Sequence, residues 1–136
     1  MQAAKERAAG VLEDGCRSIG LMCAENDANQ SSFAKAGAIP LILSAMENMV
    51  SVEFADAGLT AIGILANNIE NQKVLGTAST CALLMKALAM HGDSADLAIT
   101  GIVAICQIAT NNVANQKVCM ELCYHVGGTL SSLPAP

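Results

Sequence analysis

Asn71-Gln72-Lys73-Val74-Leu75 recurs in this chain as Asn29-Gln30-Ser31-Ser32-Phe33, 42 residues earlier, and as Asn115-Gln116-Lys117-Val118-Cys119, 44 residues later. A period in that range marks a helical repeat, in which each unit buries its apolar face against the next. The residues ahead of each Asn-Gln repeat in step. They read Gly15-x-x-x-Ile19-x-x-Met22-Cys23, Gly58-x-x-x-Ile62-x-x-Leu65-Ala66 and Gly101-x-x-x-Ile105-x-x-Ile108-Ala109. Such spacing puts the four residues of each string on one face of an α-helix. Glycine at the head of each string fits a close helix crossing, since alanine is the more stable helical residue where space allows.

The remainder of each unit follows from local signals. Asn29 and its equivalents predict N-caps for short helices, at the Asn itself or within a residue or two of it. The first short helix ends near Ala36-Gly37, where glycine supplies a left-handed stop. A second helix is expected from Ile39 to Met49, with Pro40 in its first turn, where no N–H is needed. Leu41, Ile42, Ala45, Met46 and Met49 form its apolar stripe. Its counterpart spans Thr80 to Met90, with Cys81, Leu83, Leu84, Ala87 and Leu88 inward and His91-Gly92-Asp93 as the turn. Third helices run from Val52 to Asn67 and from Ala95 to Thr110. Each unit is thus a short, a medium and a long helix.

Composition narrows the function. The 136 residues fit one domain. A hydrophobic fraction of 53% against 14% charged excludes a disordered tail. Aromatic residues are Phe33, Phe54 and Tyr124, with no Trp. That argues against most β-sandwich and barrel cores and against a single-strand nucleic-acid binder, which needs stacking platforms. The net charge of −5 has the wrong sign for a phosphate-backbone partner. No apolar h-region follows Lys5, Glu6 and Arg7. The longest uncharged stretch, Leu97 to Gln116, is apolar only in its first half. The expectation is a soluble, cytoplasmic protein, with the nucleus left open, and no membrane partner.

The motifs of the Asn-Gln junctions and third helices resemble the armadillo repeat family. The string Ala36-Gly37-Ala38-Ile39-Pro40-Leu41-Ile42 after Asn29 is similar to that family's first junction, and Gly58-Leu59-Thr60-Ala61-Ile62-Gly63-Ile64-Leu65-Ala66 to its third helix. The junctions at Ser79-Thr80-Cys81-Ala82 and Cys123-Tyr124-His125-Val126 lack the glycine and proline. A HEAT array is the near neighbour, and the short first helix favours armadillo. The resemblance implies an all-α, right-handed armadillo-type α-solenoid over residues 1–126. Units lie near 15–57, 58–100 and 101–126, making about two complete three-helix repeats with partial ones at both ends. Residues 127–136 are expected to be an irregular tail, because Gly127, Gly128, Pro134 and Pro136 oppose a long helix. The first 24 residues carry no polar cap in this reading. Either the chain is a slice of a longer solenoid or its open ends pair with another copy.

No phosphate loop, dinucleotide fingerprint or nucleophile elbow is present. His91 and His125 are expected in solvent. Glu13 with Asp14, and Asp93 with Asp96, are placed at helix starts, where carboxylates favour the positive dipole end, and Ser94 is a candidate cap. The six cysteines, Cys16, Cys23, Cys81, Cys106, Cys119 and Cys123, contain no CxxC pair and read as reduced thiols packed as small hydrophobes. Cys119, Cys123 and His125 make a weak cluster short of a tetrahedral metal set. Cys16 beside Arg17 is the only hint of an activated nucleophile. The sequence therefore points away from an enzyme and implies no cofactor.

Solenoids bind extended partners along the surface lined by their third helices. Peptide-gripping armadillo members present a Trp and an Asn there. Counted from the repeat glycine, those positions here are Arg17 and Leu21, Thr60 and Ile64, and Val103 and Gln107. The departure puts the gripping of basic nuclear-signal peptides in doubt. These residues either pack against neighbouring helices or line a groove for an apolar or amphipathic helix. Asn67, Asn68, Asn111 and Asn112, past the third helices, read as turn formers. The function expected is a protein-interaction scaffold binding a protein or peptide segment along the concave surface. The alternative is a structural segment of a longer solenoid, or a homo-oligomer formed through uncapped ends.

Overall fold

The computed structural model describes the backbone of residues 2–48 and 51–130, and the side chains of residues 7–48 and 51–121. Among the described residues every regular element is an α-helix. In chain order they are α1 (Gln2–Cys23), α2 (Asp27–Lys35), α3 (Ala38–Glu47), α4 (Val52–Leu65), α5 (Ile69–Leu75), α6 (Ala78–Met90), α7 (Ala95–Ala109) and α8 (Val113–Leu130). The short-medium-long pattern appears twice, as α2–α3–α4 and α5–α6–α7. The long helices α1, α4 and α7 pack side by side, α4 in the middle. Beside that layer α3 packs on α6 and α2 on α5, so the units meet helix by equivalent helix. The arrangement is an all-α fold with the periodic packing of a helical repeat.

Local chemistry sets the helix boundaries. The Asn26 side chain caps α2 by accepting from the Asn29 amide at 3.0 Å. Asn68 caps α5 from Glu70 and Asn71. Asn112 accepts from the Asn115 amide at 3.2 Å and starts α8. The caps thus sit three residues ahead of Asn29, Asn71 and Asn115, not at or next to them. Those later side chains are committed elsewhere, as described below. Ser51, Thr77 and Ser94 cap α4, α6 and α7 in the same way. Gly37, at φ 91°, turns the chain from α2 into α3, the left-handed position expected of it.

The irregular spacing of 42 and 44 also has a structural cause. The repeat glycines are evenly spaced, 43 residues apart. Glu25 and Asn111, each directly before its cap, adopt left-handed φ of 52° and 56°. In the middle unit α4 ends one residue earlier relative to its repeat glycine, and the connection to α5 has no such residue.

Three expectations need correction. Glu13 and Asp14 lie in the interior of α1, because that helix is continuous from Gln2; Glu13 pairs with Arg17 one turn on. Leu41 is exposed rather than part of the inward stripe of α3, whose buried residues are Ala38, Ile39, Ile42 and Met46. Met49 lies outside the described residues. At the C-terminal end α8 does not break near Cys123 but continues as helix to Leu130, including Gly127 and Gly128. Glycine inside a helix costs only about 1 kcal/mol, and both prolines fall beyond Leu130. Residues 131–136 lie outside the described residues.

The core is centred on α4. Phe54, Leu59, Ile62 and Leu65 are fully buried there, against Met46 of α3, Leu84 of α6 and Leu97 and Ile108 of α7. Among the described residues no single helix is long and apolar enough to cross a membrane; α5 and α6 pass that test only as a pair bent by 81°.

The repeat glycines mark close crossings in two of the three units. A Cβ at Gly58 would press on the Met46 side chain, and one at Gly101 on Leu88. Gly15 has nothing within 4 Å. Gly15→Ala should therefore stabilise the chain by about 0.5–1 kcal/mol through helix propensity. Gly101→Ala should destabilise it by about 1–3 kcal/mol through overpacking. Urea denaturation measures both, and equal shifts of one sign would contradict the crossing.

Candidate functional site

The six residues singled out by repeat position fall on the layer of long helices. Arg17 and Leu21 are on α1, Thr60 and Ile64 on α4, Val103 and Gln107 on α7. Two hollows lie between these helices. The first, about 270 Å³, is lined by Arg17, Gly20, Leu21, Ala24, Thr60 and Ile64. The second, about 250 Å³, is lined by residues of α4 and α7 that include Thr60, Ile64, Ile99, Val103 and Gln107. Thr60 and Ile64 border both, so all six residues contribute to one strip across three helices.

Glycine sets the close approach on the α4–α7 side of the strip. A Cβ at Gly20 would stand 3.4 Å from Ile64 Cδ1, and one at Gly63 would meet the Gln107 side chain and Ala104. Both glycines are five residues past the repeat glycine, a spacing legible in the sequence. Apolar side chains dominate the solvent-facing part: Leu21 is 81% exposed and Val103 48%. Ile64 is half-buried and Gln107 likewise. The charged side chain of the lining, Arg17, is already paired. The Arg17 guanidinium donates to Glu13 Oε1 at 3.0 and 3.1 Å. Thr100 Oγ1 donates to Asp56 Oδ1 at 2.8 Å, tying α7 to α4. Contact with a ligand here would be made mainly by aliphatic surface, with the Thr60 hydroxyl and the Gln107 carboxamide as the polar groups beside it.

Sequence reasoning treated the Asn-Gln pairs as helix starts and missed their main role. Asn71 Nδ2 donates to the carbonyl of Gln30 at 3.1 Å and to that of Leu65 at 3.0 Å. Asn115 Nδ2 does the same to Gln72 at 2.8 Å and Ile108 at 2.9 Å. Each amide joins its own short helix to both the short helix and the end of the long helix of the preceding unit. Asn29 has only the second of these bonds, to the carbonyl of Met22. The glutamines satisfy further helix ends: Gln30 donates to Cys23 and Gln116 to Ala109. Gln72 donates instead to the carbonyl of Gln107 on α7. The threefold recurrence of the pair was itself the available signal.

The chemical candidates fare differently. Cys16 is buried, and burial pushes its thiol pKa up, as it does that of Cys23. Its neighbour Arg17 is turned to Glu13, so this pair lacks the electropositive setting of a reactive thiolate. His91 is half-buried at the end of α6, with Nε2 buried and without a hydrogen-bond partner, so it is not the solvated side chain expected. Ser94 caps α7 and Asp96 lies in its first turn, as expected. Asn68 and Asn112 prove to be caps. Among the described residues no group of three or more His, Cys, Asp or Glu side chains is placed to hold a metal ion. The side chains of Cys123 and His125 lie outside the described residues.

No protein-family model matches this sequence, and neither a curated protein nor a solved structure matches it.

Proposed function

We propose that this chain is a non-enzymatic interaction scaffold of the armadillo type, which takes an amphipathic helix of a partner protein along the strip formed by α1, α4 and α7. One observation carries the reading: two adjoining hollows, sharing Thr60 and Ile64, present aliphatic side chains while their charged neighbours are already paired. Aliphatic grooves favour helices that offer residues at i, i+3/i+4 and i+7. The net charge of −5 favours a partner whose other face is basic. Arg17, Leu21, Thr60, Ile64, Val103 and Gln107 are the contact residues in this reading. A designed basic amphipathic helix, labelled for fluorescence anisotropy, tests it. Ile64→Arg should weaken binding at least about tenfold with helicity unchanged, since it removes an apolar contact and adds a like charge. Ile69→Arg, at a 58% exposed position on α5, should leave binding unchanged. Equal affinity for both variants and the parent would sink the assignment.

A second reading, self-association through an open end, rests on α7. Leu59 of α4 is fully buried beneath α7, whereas its repeat equivalent Ile102 is 56% exposed. Ile99 and Val103 flank it, also exposed. In that reading light scattering across a concentration series shows a dimer for the parent and a monomer for Ile102→Glu. A monomeric parent at all concentrations would exclude it.

A further inference from the structure

Cys81 of α6 and Cys119 of α8 are 38 residues apart in sequence, yet their sulfurs lie 3.6 Å from each other. Neither is in a disulfide. We propose that this pair is a redox clamp, which a peroxide converts to an intramolecular disulfide that fastens α8 to α6.

The setting distinguishes the pair from the other described cysteines. Cys81 is buried, while Cys119 is half-buried, so an oxidant approaches from the Cys119 side. Cys16 and Cys23 are buried, with thiols pushed up by desolvation, which lowers their thiolate fraction. Cys106 is exposed on α7, a different helix from either member of the pair. A disulfide needs the sulfurs at about 2.05 Å, so they must close by about 1.5 Å. That is within the reach of small side-chain rotations when the two helices already pack together.

The chemistry balances with hydrogen peroxide as oxidant. The Cys119 sulfur attacks one peroxide oxygen; the O–O bond breaks, sulfur is oxidised by two electrons to the sulfenic acid, and water leaves. The Cys81 sulfur then attacks the sulfenic sulfur. The S–S bond forms, the S–O bond breaks, and the departing hydroxide takes the thiol proton as a second water. A dithiol reductant reverses the bond by exchange. The closed loop tethers the start of α8 to the preceding unit and restricts the unfolded chain, which raises stability.

The test treats the whole chain with graded hydrogen peroxide, blocks remaining thiols under denaturing conditions and maps peptides by mass. The first oxidation product should be a Cys81–Cys119 disulfide, reversed by dithiothreitol. The melting temperature of the oxidised chain should rise by at least about 5 °C. Cys119→Ser should show no such rise. A first disulfide joining Cys119 to Cys123, or Cys106 to another molecule, would overturn the proposal. So would sulfinic acid at Cys119 with Cys81 still reduced, or a Cys81–Cys119 disulfide that leaves melting unchanged. The peptide map of the parent chain needs no variant, so a poorly folding Cys119→Ser would not blunt the test.

Discussion

A single side-chain amide, repeated, holds one unit against the next. The last carbonyls of a helix have no partner within it, and leaving them buried and unpaired costs about 1–3 kcal/mol each. Asn71 and Asn115 each have two N–H donors on one nitrogen. They spend them on two carbonyls of the preceding unit, one on its short helix and one at the end of its long helix: Gln30 and Leu65 in one case, Gln72 and Ile108 in the other. This works only because another residue caps the helix. Asn68 and Asn112 take the cap, and the later asparagine is released to bridge. Gly76 completes the arrangement, since a Cβ there would collide with the Asn115 carboxamide.

The bridges fix the short helices, and small residues fix the long ones. Gly63 lets α4 and α7 approach closely, with the fully buried side chains of α4 between the flanking elements. The outer parts of these helices cannot close completely over Thr60 and Ile64, and the two hollows remain. The strip proposed for partner binding is thus a by-product of the repeat. Residues at one register position in successive long helices line up on a 43-residue period, marked by Gly15, Gly58 and Gly101. The aliphatic character at Leu21, Ile64 and Val103 is what distinguishes the strip from a merely solvated face.

Much of this was legible because helical repeats write the same instructions several times. The long helices, the Gly37 turn and the Ser94 cap could be placed from periodicity and local chemistry alone. What was not legible depended on long-range contacts. Nothing local distinguishes a capping asparagine from a bridging one when Asn67, Asn68 and Asn71 stand within five residues of one another. Leu41 reads as core by hydrophobicity but lies on the exposed side of α3. The extension of α8 through Gly127 and Gly128 runs against propensity, which is a weak constraint of about 1 kcal/mol per residue. The Cys81–Cys119 contact joins residues with no shared motif and appears only once α6 and α8 are packed.

Hydrogen exchange of the Asn115→Ala chain tests the bridging role most directly. The Gln72 carbonyl accepts both the Asn115 amide and the Gly76 N–H that ends α5. If Asn115 fastens one unit to the next, its loss should speed exchange about tenfold or more in the last turn of α5 as well as at the start of α8. Faster exchange confined to α8, with α5 as protected as in the parent chain, would contradict the account.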